Sequence, residues 1–223
     1  MKSTNILKGK KILVTAGSTW VPIDRVRVIT NIFTGTLGVI VSEAFASLGA
    51  KVTLLLGPGG SMVPKNLKNI KVIRFKYFDD LLNLVKKEVK YGKYDGMIHS
   101  AAVSDYTPVD VFDGKIKSGK SHSVITLKPT VKIVDLIKKI SPNILLVKFK
   151  LEVGLSKDKL IDTATKSMKN SDADLIVANE FGETGKNHKA YIIDNDNKVI
   201  TCIGKEQIAK VLAKVVSEKL SNI

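Results

Sequence analysis

Two short segments near the start of the chain have residue types suited to holding an anion: Gly17-Ser18-Thr19 and Thr34-Gly35-Thr36. The first closes an apolar run that ends at Ala16, and the second precedes apolar residues at helical spacing from Leu37 to Leu48. A strand that ends in glycine and turns toward a helix marks the usual ligand edge of an open parallel sheet. Backbone amides and hydroxyls at a helix start bind phosphate or carboxylate, although the same residues also serve as plain caps. The spacing is neither G-x-G-x-x-G nor G-x-x-x-x-G-K-[ST], so the dinucleotide fingerprint and the phosphate loop are both missing. Between the two segments, Pro22 to Asn31 reads as an extended connection.

A second cluster runs Ala101-Ala102-Val103-Ser104-Asp105-Tyr106-Thr107-Pro108, at the end of another apolar run. Asp105 could hold a ribose hydroxyl, a base amine or a metal there, or could simply cap a turn. Lys115-Ile116-Lys117-Ser118 follows, where a lysine would meet phosphate as a point charge or stay solvated. His99, His122 and His188 are too scattered for a metal-ligand pattern and read as structural or exposed. Cys202 falls in an apolar strand pattern and reads as packing.

The elements that must position these residues alternate between strand and helix, which predicts an α/β fold with a mostly parallel sheet. Strands are expected at 10–16, 51–56, 70–75, 95–103, 144–151 and 173–179. Helices are expected at 37–48, after Gly35 and Gly38 and stopped by Gly49, and at 79–89 behind an acidic cap at Asp79. Gly57-Pro58-Gly59-Gly60 closes the second strand. Residues 104–128 lose the pattern and read as a long loop or hairpin, and further helices are expected at 131–140 and 157–169. An antiparallel hairpin over 189–194 and 198–203 and a terminal helix from Gly204 to about Leu220 complete a single expected domain, 1–223.

Lys and Arg number 36 against 21 Asp and Glu, a net charge of +15. Such an excess suits anionic partners, and solvated lysine faces account for it equally well. The lysines are spread along the chain and aromatics are only 6%, which argues against a nucleic-acid platform. A lone cysteine excludes an internal disulfide, and no apolar run approaches the roughly 20 residues of a membrane span. The first residues, Met1 to Lys8, lack a signal-peptide core, so a soluble cytoplasmic protein, bound to neither nucleic acid nor membrane, is the expectation.

Several clusters taken together resemble one family. They are Val14 to Thr19, Ile23-Asp24-Arg25-Val26-Arg27-Val28-Ile29-Thr30-Asn31, Thr34-Gly35, Ala101 to Pro108, Lys115-Ile116-Lys117, Phe149-Lys150-Leu151-Glu152 and Ala173 to Asn179. In this order they look like the phosphopantothenate–cysteine ligases, in the free-standing form without a fused decarboxylase. The resemblance implies a Rossmann-like sheet extended by a ribokinase-like half, usually in a homodimer. It also implies that a nucleoside triphosphate, CTP or ATP, activates the carboxylate of 4′-phosphopantothenate with Mg²⁺, after which the cysteine amine forms the amide.

By resemblance, Asn31 stabilises the acyl-nucleotide and Lys115 serves its formation. Gly17, Ser18, Ala101, Ala102, Val103, Asp105, Phe149 and Lys166 would face the nucleotide, and Thr34 with Gly35 would cradle the substrate phosphate. The chain departs from the family at Phe33, where a small residue is usual. It departs again at Lys148-Phe149-Lys150-Leu151-Glu152, where many bacterial members have Gly-Phe-Ala-Ala-Glu. The nucleotide is left open, with CTP favoured.

Two other classes stay in view. An NAD(P)-dependent or nucleotide-sugar oxidoreductase should show the dinucleotide fingerprint and a Tyr-x-x-x-Lys pair, and the sequence has neither. A basic nucleic-acid-binding module should bind in a steeply salt-dependent way, indifferent to Asn31 or Lys115.

Overall fold

The structure is a computed structural model that describes residues 5–59, 63–119, 121–182 and 188–221. Residues 1–4 and Gly60, which entered the expectations above, lie outside the described residues. The described chain runs β1 (Lys11–Ala16), β2 (Trp20–Pro22), β3 (Val28–Thr30), α1 (Thr36–Ser47), β4 (Lys51–Leu56), β5 (Ile70–Arg74), α2 (Phe78–Tyr91) and β6 (Gly96–His99). It continues through β7 (Tyr106–Pro108), β8 (Leu127–Pro129), α3 (Val134–Ile140), β9 (Leu145–Glu152), α4 (Lys157–Asn170), β10 (Leu175–Glu180), β11 (Lys189–Asp194), β12 (Val199–Ile203) and α5 (Lys205–Ser221).

Eight strands form one sheet in the order β12-β11-β10-β9-β6-β1-β4-β5. The six from β5 to β10 are parallel, and β11 and β12 add an antiparallel edge. The chain leaves β1 toward β4 on one side and reaches β6 on the other, so the connections diverge between β1 and β6. In a sheet of this kind that divergence opens the ligand crevice beyond the strands' C-terminal ends.

Alternation along the strands sorts the core into two layers. Ile12, Val14 and Ala16 join Val41 and Phe45 of α1 and Leu212 and Val216 of α5 on one face. Leu13 joins Leu81 and Val85 of α2, Ile137 of α3 and Leu160 of α4 on the other. Residues 12–16 are all buried, as a strand covered on both faces requires.

Gly38, expected ahead of α1, lies inside it. A Cβ there would sit 2.5 Å from the Ala16 Cβ and 2.7 Å from the Ser100 hydroxyl, so glycine lets the helix lie against the end of β1. Gly49 ends the helix with φ +93, as the stop signal predicts. The α2 cap is also shifted. It begins after Tyr77, and Asp80 rather than Asp79 closes the end by accepting the amides of Tyr77 (2.8 Å) and Lys76 (3.1 Å).

The strand expected over 95–103 stops at His99. The next residues stay beside β1 through side-chain and single-bridge contacts instead of a continuous ladder. The extended connection after Gly17-Ser18-Thr19 is a hairpin, β2 with β3, and the patternless stretch contains a second, β7 with β8. Both are three-residue strands, too short for periodicity to reveal.

Gly38→Val is expected to destabilise the fold by roughly 1–3 kcal/mol, since overpacking against Ala16 outweighs any gain in helix propensity. Urea unfolding checks this, with the midpoint falling at unchanged slope. A midpoint equal to wild type would mean that α1 moves freely off β1.

Candidate functional site

The site is built where Gly17-Ser18-Thr19 leaves β1 and Ser100 to Ser104 leaves β6. The two segments run on side by side: Ala102 N–H donates to Gly17 O at 2.9 Å and Thr19 N–H to Ala102 O at 3.2 Å. Ser104 N–H is held by the Thr19 hydroxyl at 2.9 Å. Gly17 has φ +82, a left-handed turn that glycine adopts without strain. Ser18 is buried at 1% exposure and its hydroxyl donates to Phe33 O at 2.7 Å, so it anchors the 31–35 loop.

Asn31 ends the β2–β3 hairpin and crosses to the neighbouring segment. Its Nδ2 donates to Ala102 O at 3.1 Å and Val103 O at 3.4 Å, which leaves Oδ1 as its remaining hydrogen-bonding atom. Thr34 and Thr36 hydroxyls pair at 2.9 Å across Gly35, the residue before α1, whose φ is +79. Val39 N–H is the first along α1 to bond within the helix, onto Gly35 O, so the amides of the first turn point out of the helix start. Asn31, Thr34, Gly35, Gly17, Ala101, Ala102 and Val103 are therefore brought together at one end of the sheet.

The segment carrying Lys115 is tied to the β2–β3 hairpin. Asp24 is buried at 2% exposure, and its Oδ1 accepts the amides of Val26 (2.8 Å) and Arg27 (2.7 Å). Its Oδ2 accepts Arg27 Nη1 at 2.9 Å and the Ile116 amide at 3.0 Å. Burial alone would raise the Asp24 pKa. Amide hydrogen bonds from Ile116, Val26 and Arg27, with the Arg27 guanidinium, outweigh it and hold the carboxyl below its ordinary value. Asp24 and Arg27 belong to the Ile23-to-Asn31 string that carries the resemblance, but neither was given a role from sequence. The signal was an aspartate followed by backbone donors two and three residues on, which is an Asx turn. An open cleft of about 700 Å³ beside this turn is lined by Pro22, Arg25, Tyr77 and Phe112 among others, and neither Asn31 nor Lys115 lines it.

Other expected residues lie farther out or have other partners. Asp105 is ion-paired with Lys132 on the exposed side of the β7–β8 hairpin. Phe149 is half-buried on the α1–α5 face of β9. Lys166 pairs with Asp162 on the solvent side of α4, nine residues past the helix start, or about 14 Å along its axis. Phe33 meets Phe181 edge-on at 6.3 Å, joining the 31–35 loop to the end of β10. His122 is exposed, and Cys202 is buried in the core with its thiol pKa raised by burial.

A polar row lies under the site on the α2–α4 face, where Thr15, His99 and Lys148 stand opposite one another on β1, β6 and β9. Thr15 Oγ1 pairs with His99 Nδ1 at 3.0 Å and accepts the Ala101 amide at 3.2 Å, so it fixes the start of the 101–103 segment. Lys148, only 8% exposed, donates to Ser167 O, Ser167 Oγ and Ser171 Oγ at the end of α4, where a helix dipole favours a cation. Burial first, and the Lys148 charge second, push His99 down to about 4. Burial likewise lowers Lys148.

Residues 7–220 match the family described as the DNA/pantothenate metabolism flavoprotein C-terminal domain. The chain belongs to this family. It is 39% identical over 187 residues to the coenzyme A biosynthesis bifunctional protein CoaBC of Thermococcus kodakarensis, covering 84% of this chain and 45% of that one. A crystal structure of the DNA/pantothenate metabolism flavoprotein from Streptococcus pneumoniae superposes with a TM-score of 0.86 at 34% identity, covering 95% of this chain and all of that one. The C-terminal domain of CoaBC gives a TM-score of 0.80 at 28% identity over 98% of this chain. The chain spans about half the length of the curated relatives it matches, 45% and 53% in two of them.

His99 generates a pH prediction. An unfolded histidine takes its proton near pH 6.5 and the folded one only near 4, so stability is full above 6.5 and falls as pH drops through that window. Between pH 7 and pH 5 the expected loss is about 2 kcal/mol. Urea unfolding should show that loss in wild type and not in His99→Gln; an equal loss in both would assign it to other groups.

Proposed function

We propose that the chain catalyses the joining of 4′-phosphopantothenate to cysteine, as a nucleotide-dependent ligase of coenzyme A biosynthesis. The observation that carries this reading is the meeting of Asn31 with the Ala102 and Val103 carbonyls at the divergence of the sheet, beside the open start of α1. Family membership and the 39% identity to a coenzyme A biosynthesis protein support it.

In this reading the first turn of α1, with Thr34 and Gly35, takes the phosphate of phosphopantothenate through outward amides and hydroxyls. The nucleotide lies along Gly17 and Ala101 to Val103, with Phe149 and Asp105 toward its base and ribose. A pantothenate carboxylate oxygen attacks the α-phosphorus, the bond to pyrophosphate breaks, and an acyl-nucleotide forms. The cysteine amine then adds to the acyl carbon, loses a proton, and expels the nucleoside monophosphate.

Both reactants of the first step are anions, so its barrier falls when cations neutralise the phosphates. Lys115, exposed and with no ion pair among the described residues, supplies one such charge. No cluster of three or more potential metal ligands occurs among the described residues. Mg²⁺ would be held chiefly by the triphosphate, in keeping with a cation that binds through phosphates and few carboxylates. Asn31, which bridges the two substrate segments, orients the acyl-nucleotide for the amine.

The reading extends to CTP as the preferred nucleotide and to a homodimer. Val109, Val111, Phe112, Val124, Ile125 and Leu127, on and beside the β7–β8 hairpin, are each at least 41% exposed, an apolar surface that a second copy would cover.

Purified protein with phosphopantothenate, cysteine and Mg²⁺ should release pyrophosphate, faster with CTP than with ATP. No release with either, from folded protein, would remove the ligase reading. Asn31→Ala should lower product formation by roughly 100-fold with an unchanged unfolding midpoint. Turnover within a factor of two of wild type would take Asn31 out of the mechanism.

A further inference from the structure

We infer that Asp24 is the positioning residue for Lys115, acting through the Ile116 peptide. The inference rests on the ligase reading for its chemistry, but the geometry stands apart from it. Ile116 has both of its backbone groups held by side chains from one turn. Its N–H goes to Asp24 Oδ2 at 3.0 Å, and its carbonyl accepts Arg27 Nη1 at 3.2 Å and Nη2 at 3.3 Å. Arg27 is in turn oriented by the same Asp24 oxygen at 2.9 Å. Asp24 and Arg27 thus do for Ile116 what a neighbouring strand would do, supplying an acceptor and a donor at the spacing of one peptide unit.

Two backbone contacts extend this clamp. Phe112 N–H donates to Ile23 O at 3.0 Å and Arg25 N–H to Gly114 O at 2.9 Å. Lys115 therefore follows a residue bonded to the turn and precedes one bonded to it, in a stretch that has no regular element of its own. A lysine acting as a point charge stabilises a transition state only if its backbone does not wander. Without the clamp, ordering the loop would draw on substrate binding instead.

The carboxylate form is what the geometry requires. Four donors converge on two oxygens: two amides on one, an amide and a guanidinium nitrogen on the other. An asparagine amide could keep either pair but would turn its own NH₂ toward the other. Asp24→Asn is nearly identical in volume, so it removes the clamp without opening a cavity.

The experiment compares wild type, Asp24→Asn, Lys115→Gln and the double variant, by pyrophosphate release and by hydrogen–deuterium exchange. Asp24→Asn is expected to lower kcat for pyrophosphate release by roughly 10- to 100-fold, the loss of a hydrogen-bonded charge, with a smaller change in KM for phosphopantothenate. The double variant should be no more than about threefold slower than Lys115→Gln, because both changes remove one contribution. Losses that multiply would overturn the inference.

Exchange is read on the peptide spanning 112–119 and on the sheet strands at 11–16 and 145–152. Asp24→Asn should speed exchange in the first and leave the strands protected. Unchanged exchange at 112–119 would overturn the clamp, and loss of protection in the strands would show a general structural role and overturn it as well. Wild-type protein without pyrophosphate release would sink the ligase reading alone, since the exchange comparison needs no substrate.

Discussion

Three backbone segments approach one another at the C-terminal end of β1 more closely than any side chain allows, and the site's geometry follows from that contact. A Cβ on Gly35 would lie 2.5 Å from Gly17 N and 2.8 Å from Gly17 Cα, and one on Gly17 would lie 3.0 Å from Gly57 O. A Cβ on Gly59 would lie 2.9 Å from Phe33 O. The start of α1, the end of β1 and the turn after β4 therefore meet main chain to main chain. Because they do, the amides of the α1 start open onto the same crevice as Gly17 and Ala101 to Val103. Gly17, Gly35 and Gly59 also hold positive φ, so a side chain would clash and strain the backbone together.

The two faces of the sheet beneath the crevice are packed differently. On the α1–α5 side, Ile12, Val14 and Ala16 are sealed in an apolar core against which Phe149 packs. On the other, Thr15, His99 and Lys148 form a buried polar row whose hydrogen bonds reach the Ala101 amide and the end of α4. A buried imidazole with a lowered pKa stays neutral across the physiological range, so the row braces the 101–103 segment without a charge that would change with pH. Lys148 is accommodated because α4 and its C-terminal cap bring a carbonyl and two hydroxyls to its ammonium.

The parts of the fold that were legible in the sequence are those that bury themselves. Apolar runs marked β1, β4 and β10, the first two closed by glycine, and the alternating order of strands and helices implied the parallel sheet. The β11–β12 hairpin was readable from Asn195-Asp196-Asn197, with Asn197 at φ 60 in the turn. The β2–β3 hairpin was not readable and β7–β8 only as a loop-or-hairpin alternative, since three residues hold too little alternation, and the strand at 96–99 was read four residues past its end because Ala101 to Val103 remain apolar.

Local chemistry placed Thr34-Gly35 at a helix start and Ala101 to Val103 beyond a strand, because caps, turns and apolar runs depend on neighbours in sequence. Tertiary structure alone decided that Asn31 reaches the Ala102 carbonyl, 71 residues away, and that Asp24 grips the amide of Ile116, 92 residues away. No spacing rule couples residues so distant. Their meeting depends on where the sheet diverges and on how closely glycine lets its loops approach. The sequence determined which groups were available, and the packed sheet ends decided which of them face one another.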